Sequence, residues 1–189
     1  RLDELLSVII DTHQATEEKK GTAFNVEAHH ELARKAAEES VVLLKNEDNI
    51  LPLRPGTKVT VIGDFAQNPR YQGAGSSLVN PAKQPEFILG EIGSSGLEMV
   101  AFEQGYRRNK KSDEKLLNQA KEAAKKAEVV LIFAGLDEIS ESEGLDRTHM
   151  NMPQAQNMLI DEITTVNPKV IVVISAGSAE EMPWYSYVR

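Results

Sequence analysis

The stretch DEISESEGLDR, Asp137 to Arg147, places five carboxylates within eleven residues, with Arg147 as its one cation. It follows directly on the apolar run VVLIFAGL, so a chain leaving a buried strand turns at once into acid. Three chemistries fit such a loop. Most acid-rich loops are only solvated turns. A metal site is the second reading, because Asp137, Glu138, Glu141, Glu143 and Asp146 all carry oxygen donors. The calcium-loop pattern D-x-[DN]-x-[DN]-G is absent, however, and no metal is expected. The third is proton transfer. A carboxyl group beside a covered sheet has its pKa raised by desolvation and by neighbouring negative charge, and so holds a proton near neutral pH. Glu143, between Ser142 and Gly144, falls where such a group would meet a ligand. Mutual repulsion among the five acids also predicts a loose loop over residues 137–151.

Other candidates are weaker. GAGSS at Gly73 to Ser77 invites a phosphate-loop reading but lacks the Lys of GxxxxGK[ST], and ten residues separate it from Ile62, too many for GxGxxG between strand and helix. It reads as a flexible turn. His29 and His30 are neighbours on a helix, about 100° apart, which disfavours a shared metal. His149 lies in the suspect loop but stands alone. Trp184 reads as a packing residue before a binding platform. With no Cys there is no disulfide, thiolate nucleophile or Cys-based zinc site.

These residues need a scaffold. Leu2, Leu5, Leu6, Ile9 and Ile10 recur at helical spacing over residues 1–19, giving a helix whose apolar stripe has no obvious cover, followed by a polar link at Lys19 to Thr22. Asn25 is a plausible N-cap for a second helix running to about Asn46, with Leu32, Ala33, Ala36, Ala37, Val41, Leu43 and Leu44 on its buried face. KVTVIGD, LEMVAFEQG, VVLIFA and KVIVVISAG read as strands. Helices starting near Ser112 or Asp113 and near Pro153 precede the last two. The alternation predicts an α/β, three-layer α/β/α sandwich with a mainly parallel sheet and Rossmann-like topology. Ligands then meet the loops at the carboxyl ends of the strands, where the acidic loop, GDFAQNPRYQGAGSS and AGSAEEMPW all lie.

The totals narrow the partners. At 189 residues the chain can bury a real core. A net charge of −8 argues against nucleic acid and against an anionic membrane surface. No apolar run approaches the roughly 20 residues that span a bilayer, and no signal-peptide pattern opens the chain, so a cytoplasmic location is expected. Both ends read as cuts in a longer protein.

Taken in series, four stretches resemble the second domain of glycoside hydrolase family 3, the β-glucosidase and β-xylosidase family. HHELARKAAEESVVLLKNEDNILPL is similar to its entry helix and following turn. VIGDFAQNPRYQGAGSSLVNP is similar to its first strand and Gly-Ser loop, SESEGLDR to its acidic loop, and NPKVIVVISAGSAEEMPW to a later strand and Pro-Trp element. The likeness covers roughly residues 24–184. It implies that residues 1–23 are the helix and linker left from a preceding barrel domain, and that residues 24–189 are an α/β sandwich truncated at its C-terminal end. It implies a retaining β-glycosidase acting on terminal non-reducing residues of β-linked glucosides or xylosides, as oligosaccharides or aryl glycosides, with no cofactor. The Asp nucleophile would lie on the barrel of the same polypeptide. By position, Glu143 is the general acid/base, with Glu141 the runner-up because alignment in this loop slips by two residues. Asp146 and Arg147 match the family's Asp-Arg pair, read as a loop-bracing ion pair. The alternative is a non-catalytic Rossmann-like module binding a small molecule, such as a mononucleotide near Gly63 or Gly73.

Overall fold

The computed structural model describes residues 1–21, 23–81, 83, 86–108 and 111–189; Thr22, the last residue of the expected link, lies outside them. The chain forms two compact units, Arg1–Leu44 and Lys45–Arg189.

The first unit holds α1 (Leu2–Glu18) and α2 (Val26–Glu39). The side chain of Asn25 accepts from the Ala28 amide at 3.1 Å, the expected N-cap. The expected extent of α2 is too long. It stops at Glu39 rather than near Asn46, because the Ser40 hydroxyl donates to the Ala36 carbonyl at 2.7 Å and the β-branched pair Val41 and Val42 follows. The expected buried face is also corrected: α2 has no buried residue, and Leu32, Val41, Leu43 and Leu44 are exposed. The apolar stripe of α1 is exposed as well. Phe24 stacks on the His29 ring at 5.5 Å, a local packing role for that histidine.

The second unit is built on four strands: β1 (Lys58–Ile62), β2 (Glu98–Glu103), β3 (Val129–Gly135) and β4 (Val170–Ser175). They pair in parallel, in the order β2-β1-β3-β4. Every residue of β3 is buried. Since successive strand residues face opposite sides, unbroken burial requires cover on both faces, which makes the unit a three-layer α/β/α sandwich. The outer strands β2 and β4 are only partly buried.

Helix α5 (Glu114–Ala124) starts at Asp113, whose carboxylate accepts from the Lys115 and Leu116 amides, so Asp113 rather than Ser112 is the cap. It packs through Ala120, Ala123 and Ala124, and these small side chains let it lie close to the strands. Helix α6 (Gln154–Thr164) follows Pro153 and buries Leu159, Ile160 and Ile163. Two short helices, α3 (Asp64–Gln67) and α4 (Ile88–Ser94), escaped the sequence reading. Buried polar groups tie helices to strands. The Thr60 hydroxyl donates to the Ala123 carbonyl at 3.0 Å, and Asn167 donates to the Ala124 and Ala127 carbonyls at 3.0 Å each. Both add a side-chain donor to carbonyls at and just beyond the end of α5.

Candidate active site

The strand order sets the place of the site. From β1 the chain departs towards β2, and from β3 it departs towards β4 on the opposite side. The crevice between the carboxyl ends of β1 and β3 is therefore a topological switch point, where open α/β sheets bind their ligands. The segment 63–78 leaves β1 and the acidic loop leaves β3, and the two meet there.

The exit from β3 is tightly fixed. Gly135 has φ +145°, and a Cβ there would lie 2.0 Å from the Ser175 carbonyl oxygen of β4. Its amide donates to Gln156 Oε1 at 2.8 Å, and its carbonyl accepts from Gln156 Nε2 at 2.9 Å. Gln156 is buried on α6, so one side chain satisfies both backbone groups of the last strand residue. Gly63, at the end of β1, is equally confined: a Cβ would lie 2.1 Å from the Phe133 carbonyl oxygen.

Beyond Gly135 the five acids do not face one another unopposed. Asp137 accepts from the Ser140 amide at 2.8 Å and forms a tight turn. Glu138 pairs with Arg108 at 2.9 Å, and the same guanidinium bridges to Asp64 and lies over the Phe65 ring at 4.3 Å. Glu141 pairs with Arg70 and accepts from the Gly177 amide at 2.9 Å and from the Ser178 hydroxyl at 2.7 Å. Glu143 accepts from the Ser76 amide at 3.2 Å and from the Ser76 hydroxyl. Asp146 is exposed. The repulsion that predicted a loose loop is thus offset at Glu138, Glu141 and Glu143, by donors from the segments after β1 and β2 and from the loop after β4.

The expected Asp146–Arg147 ion pair does not form. Arg147 pairs instead with Glu180 at 2.6 Å and donates to the Ser178 hydroxyl at 2.6 Å. Adjacent residues in an irregular loop direct their side chains apart, while the loop after β4 brings Glu180 against Arg147. Arg147 still braces the loop, through a different carboxylate. Burial pushes the Glu180 carboxyl above the usual glutamate range, against the opposing pull of Arg147.

Glu141 and Glu143 differ in kind. The Glu141 side chain is 10% exposed. Burial pushes its carboxyl up, but the hydrogen bonds from Arg70, Ser178 and Gly177 outweigh this and hold it below the usual range. Glu143 is exposed, and its two hydrogen bonds from Ser76 also hold it below the usual range. This corrects the expectation of a raised pKa: both loop glutamates are held as carboxylates in the isolated chain. The effect of Glu141 on stability has a definite sign. A depressed folded-state pKa contributes stability above the unfolded value, and that contribution is lost as pH falls through the folded value. Glu141→Gln should lower unfolding free energy at neutral pH by about 2–4 kcal/mol, under the roughly 3–5 of a fully buried pair. Urea unfolding should show the gap to wild type closing on acidification, whereas a gap that persists in acid would contradict the clasp.

The remaining candidates divide clearly. Trp184 is buried and donates from Nε1 to Asn157 at 2.8 Å, a packing residue as expected. His149 is exposed beside Asp146 in a pocket lined also by Leu136 and Met152. Gly73 and Gly75 line a second pocket of about 330 Å³ with Tyr71 and Glu138. Among the described residues no three His, Asp or Glu side chains gather to hold a metal, and no helix is long and apolar enough to cross a membrane. Sequence reasoning missed Arg70, Ser76, Arg108, Ser178 and Glu180. Arg70 offered one faint signal, a cation inside a glycine-rich segment with no acid beside it.

The sequence profile of the glycosyl hydrolase family 3 C-terminal domain matches residues 41–189. The chain belongs to that family. Thermostable beta-glucosidase B of Acetivibrio thermocellus is 45% identical over the whole of this chain, which covers 25% of that protein. An exo-alpha-(1->6)-L-arabinopyranosidase of Bifidobacterium breve is 43% identical over 85% of the chain, covering 22% of that protein. The crystal structure of a family 3 beta-glucosidase from Bifidobacterium adolescentis superposes with a TM-score of 0.86 and 38% identity over 96% of the chain and 27% of its own. The family 3 chain described here thus spans about a quarter of the length of these relatives. Its four parallel strands and flanking helices are the family 3 C-terminal domain fold.

Proposed function

We propose that this chain supplies the general acid/base of a retaining β-glycosidase, of β-glucosidase or β-xylosidase type, that removes terminal non-reducing β-D-glycosyl residues. Glu143 is the proton carrier. The nucleophile, an Asp, belongs to a barrel domain of the same polypeptide, for which residues 1–23 form the trailing helix and linker. The observation that carries this reading is the contrast between the two loop glutamates. Glu141 is enclosed and engaged by Arg70, Gly177 and Ser178, whereas Glu143 is exposed beside the switch point with, among the described residues, only Ser76 on its carboxylate.

The chemistry then runs in two steps. The barrel Asp attacks the anomeric carbon. The bond to the leaving oxygen breaks, and that oxygen takes the proton of Glu143 as the glycosyl-enzyme forms. Glu143, now a carboxylate, removes a proton from water, which attacks the same carbon and releases the Asp. The two carboxyls stand roughly 5–5.5 Å apart on opposite sides of the bond. The held carboxylate suits the second step, and substrate binding must favour its protonated form for the first. Relatives named for different sugars are about equally similar to this chain, which supports a sugar choice made by the barrel.

A small-molecule-binding module is the lesser reading. A mononucleotide phosphate near Gly63 would meet Asp64 at the first turn of α3, a negative charge where an anion site needs none.

The chain alone should not turn over aryl β-glucosides or aryl β-xylosides, because its own loop carboxylates cannot reach the opposite face of the sugar. Release of the aryl alcohol is measured for the purified chain, alone and mixed with a separately expressed barrel. Activity only on mixing is expected. Turnover by the chain alone, abolished by Glu143→Ala, would overturn the two-domain reading.

A further inference from the structure

Both donors that reach Glu143 come from one residue and go to one atom. The Ser76 amide lies 3.2 Å from Oε2, and the Ser76 hydroxyl donates to the same oxygen. Ser76 closes a short turn (Gly75–Ser77) in the segment that leaves β1, 67 residues from Glu143. The amide is part of the backbone and costs no side-chain entropy to hold in place. No charged side chain takes part: the two Ser76 hydrogen bonds lower the carboxyl's affinity for a proton, and slight desolvation opposes them. Glu143 Oε1 has no donor among the described residues.

We propose that Ser76 is a positioning residue for Glu143: by donating twice to Oε2 it fixes the carboxylate's rotation and leaves Oε1 as the oxygen that carries and delivers the proton. The reason is one of donor supply. Two donors point at Oε2 and none at Oε1 among the described residues, so a proton on Oε2 would displace a hydrogen bond whereas one on Oε1 displaces none. A carboxylate accepting hydrogen bonds is also a stronger acid when protonated, because the same donors stabilise the charge left behind. In the glycosidic step that charge develops on Glu143 as the leaving oxygen takes the proton, and Ser76 stabilises it there. The hydroxyl keeps donating in either state, because Oε2 is the carbonyl oxygen of the acid when Oε1 carries the proton. The amide holds the orientation throughout.

This inference rests on the reading of Glu143 as the acid/base, and its test separates the two. The Glu143 side-chain carboxyl carbon is followed by NMR during acid titration of the whole 189-residue chain, in wild type, Ser76→Ala and Ser76→Thr. Ser76→Ala should move the Glu143 midpoint upward, towards the ordinary glutamate value, while Ser76→Thr, which keeps the hydroxyl, should stay near wild type. A Ser76→Ala midpoint equal to wild type would overturn the proposal, as would a Ser76→Thr midpoint that rises with it. In an active two-domain enzyme carrying the chain, Ser76→Ala should carry the basic limb of the pH–rate profile upward with the midpoint, whereas a merely structural role would lower the rate without moving the limb. If the midpoint moves but Glu143→Ala behaves unlike an acid/base variant, the contact stands and the catalytic reading falls.

Discussion

Glu143→Ala, made in the Acetivibrio thermocellus relative carrying this chain in place of its matching quarter, should cut hydrolysis of glycosides with poor leaving groups by about 10²–10⁴-fold. Aryl glycosides with strongly activated leaving groups should lose far less in their first step. An alkoxide leaving group must be protonated as the bond breaks, whereas a stable phenolate departs without help. The second step also slows, because water loses the base that deprotonates it. The glycosyl-enzyme should therefore accumulate on activated substrates, seen as a burst of phenolate followed by slow turnover. Glu141→Ala should instead act through stability, since its carboxylate secures the loop to Arg70 and Gly177. Equal losses on both substrate types for Glu143→Ala would return the role to Glu141 or make it structural.

Gly135→Ala should be among the most damaging single methyls in the chain. At φ +145° an L side chain is strained, and its Cβ would lie 2.0 Å from a backbone oxygen that pairing with β4 holds in place. Neither side can yield cheaply: the Leu136 amide already donates to that Ser175 carbonyl at 3.0 Å, and Gln156 grips both backbone groups of Gly135. Strain of about 1–3 kcal/mol and overpacking of about 1–3 kcal/mol together give a loss of roughly 2–6 kcal/mol. That is a large share of the roughly 5–15 kcal/mol that stabilises a domain. Urea unfolding measures it, and a loss under about 1 kcal/mol would show that the β3 exit is less confined than the geometry requires.

The four strands and the helices before β3 and β4 could be read directly from the sequence, because apolar periodicity and cap residues are local signals. Asn25 and Asp113 cap where their chemistry says they should. Apolar spacing overruns the end of α2, continuing through Val41 to Leu44 after the backbone has left the helix. The helices α3 and α4 are too short for a period to show. At the site, residue types were legible and partnerships were not. Arg70 reaches Glu141 across 71 positions, and which loops meet depends on the order β2-β1-β3-β4, which no local pattern encodes. The same limit explains Arg147. Its neighbour Asp146 looked like its partner, but the loop after β4 delivers Glu180. The pKa of Glu143 depends on Ser76, a donor that no local pattern reveals before β1 and β3 lie side by side.

If Glu143 is the acid/base of a retaining enzyme, the product that its Ala variant forms in azide has a fixed configuration. Azide is a nucleophile that needs no deprotonation, so it can replace water in the step that lost its base. It would attack the glycosyl-enzyme from the face that water uses. With an activated aryl β-glucoside, the Glu143→Ala hybrid enzyme should regain turnover as azide is added, and NMR of the product should show β-glucosyl azide. The unaltered hybrid should gain nothing and release glucose. Both results are expected if Glu143 carries the proton. An α-configured azide, or no rescue of an otherwise folded variant, would contradict it.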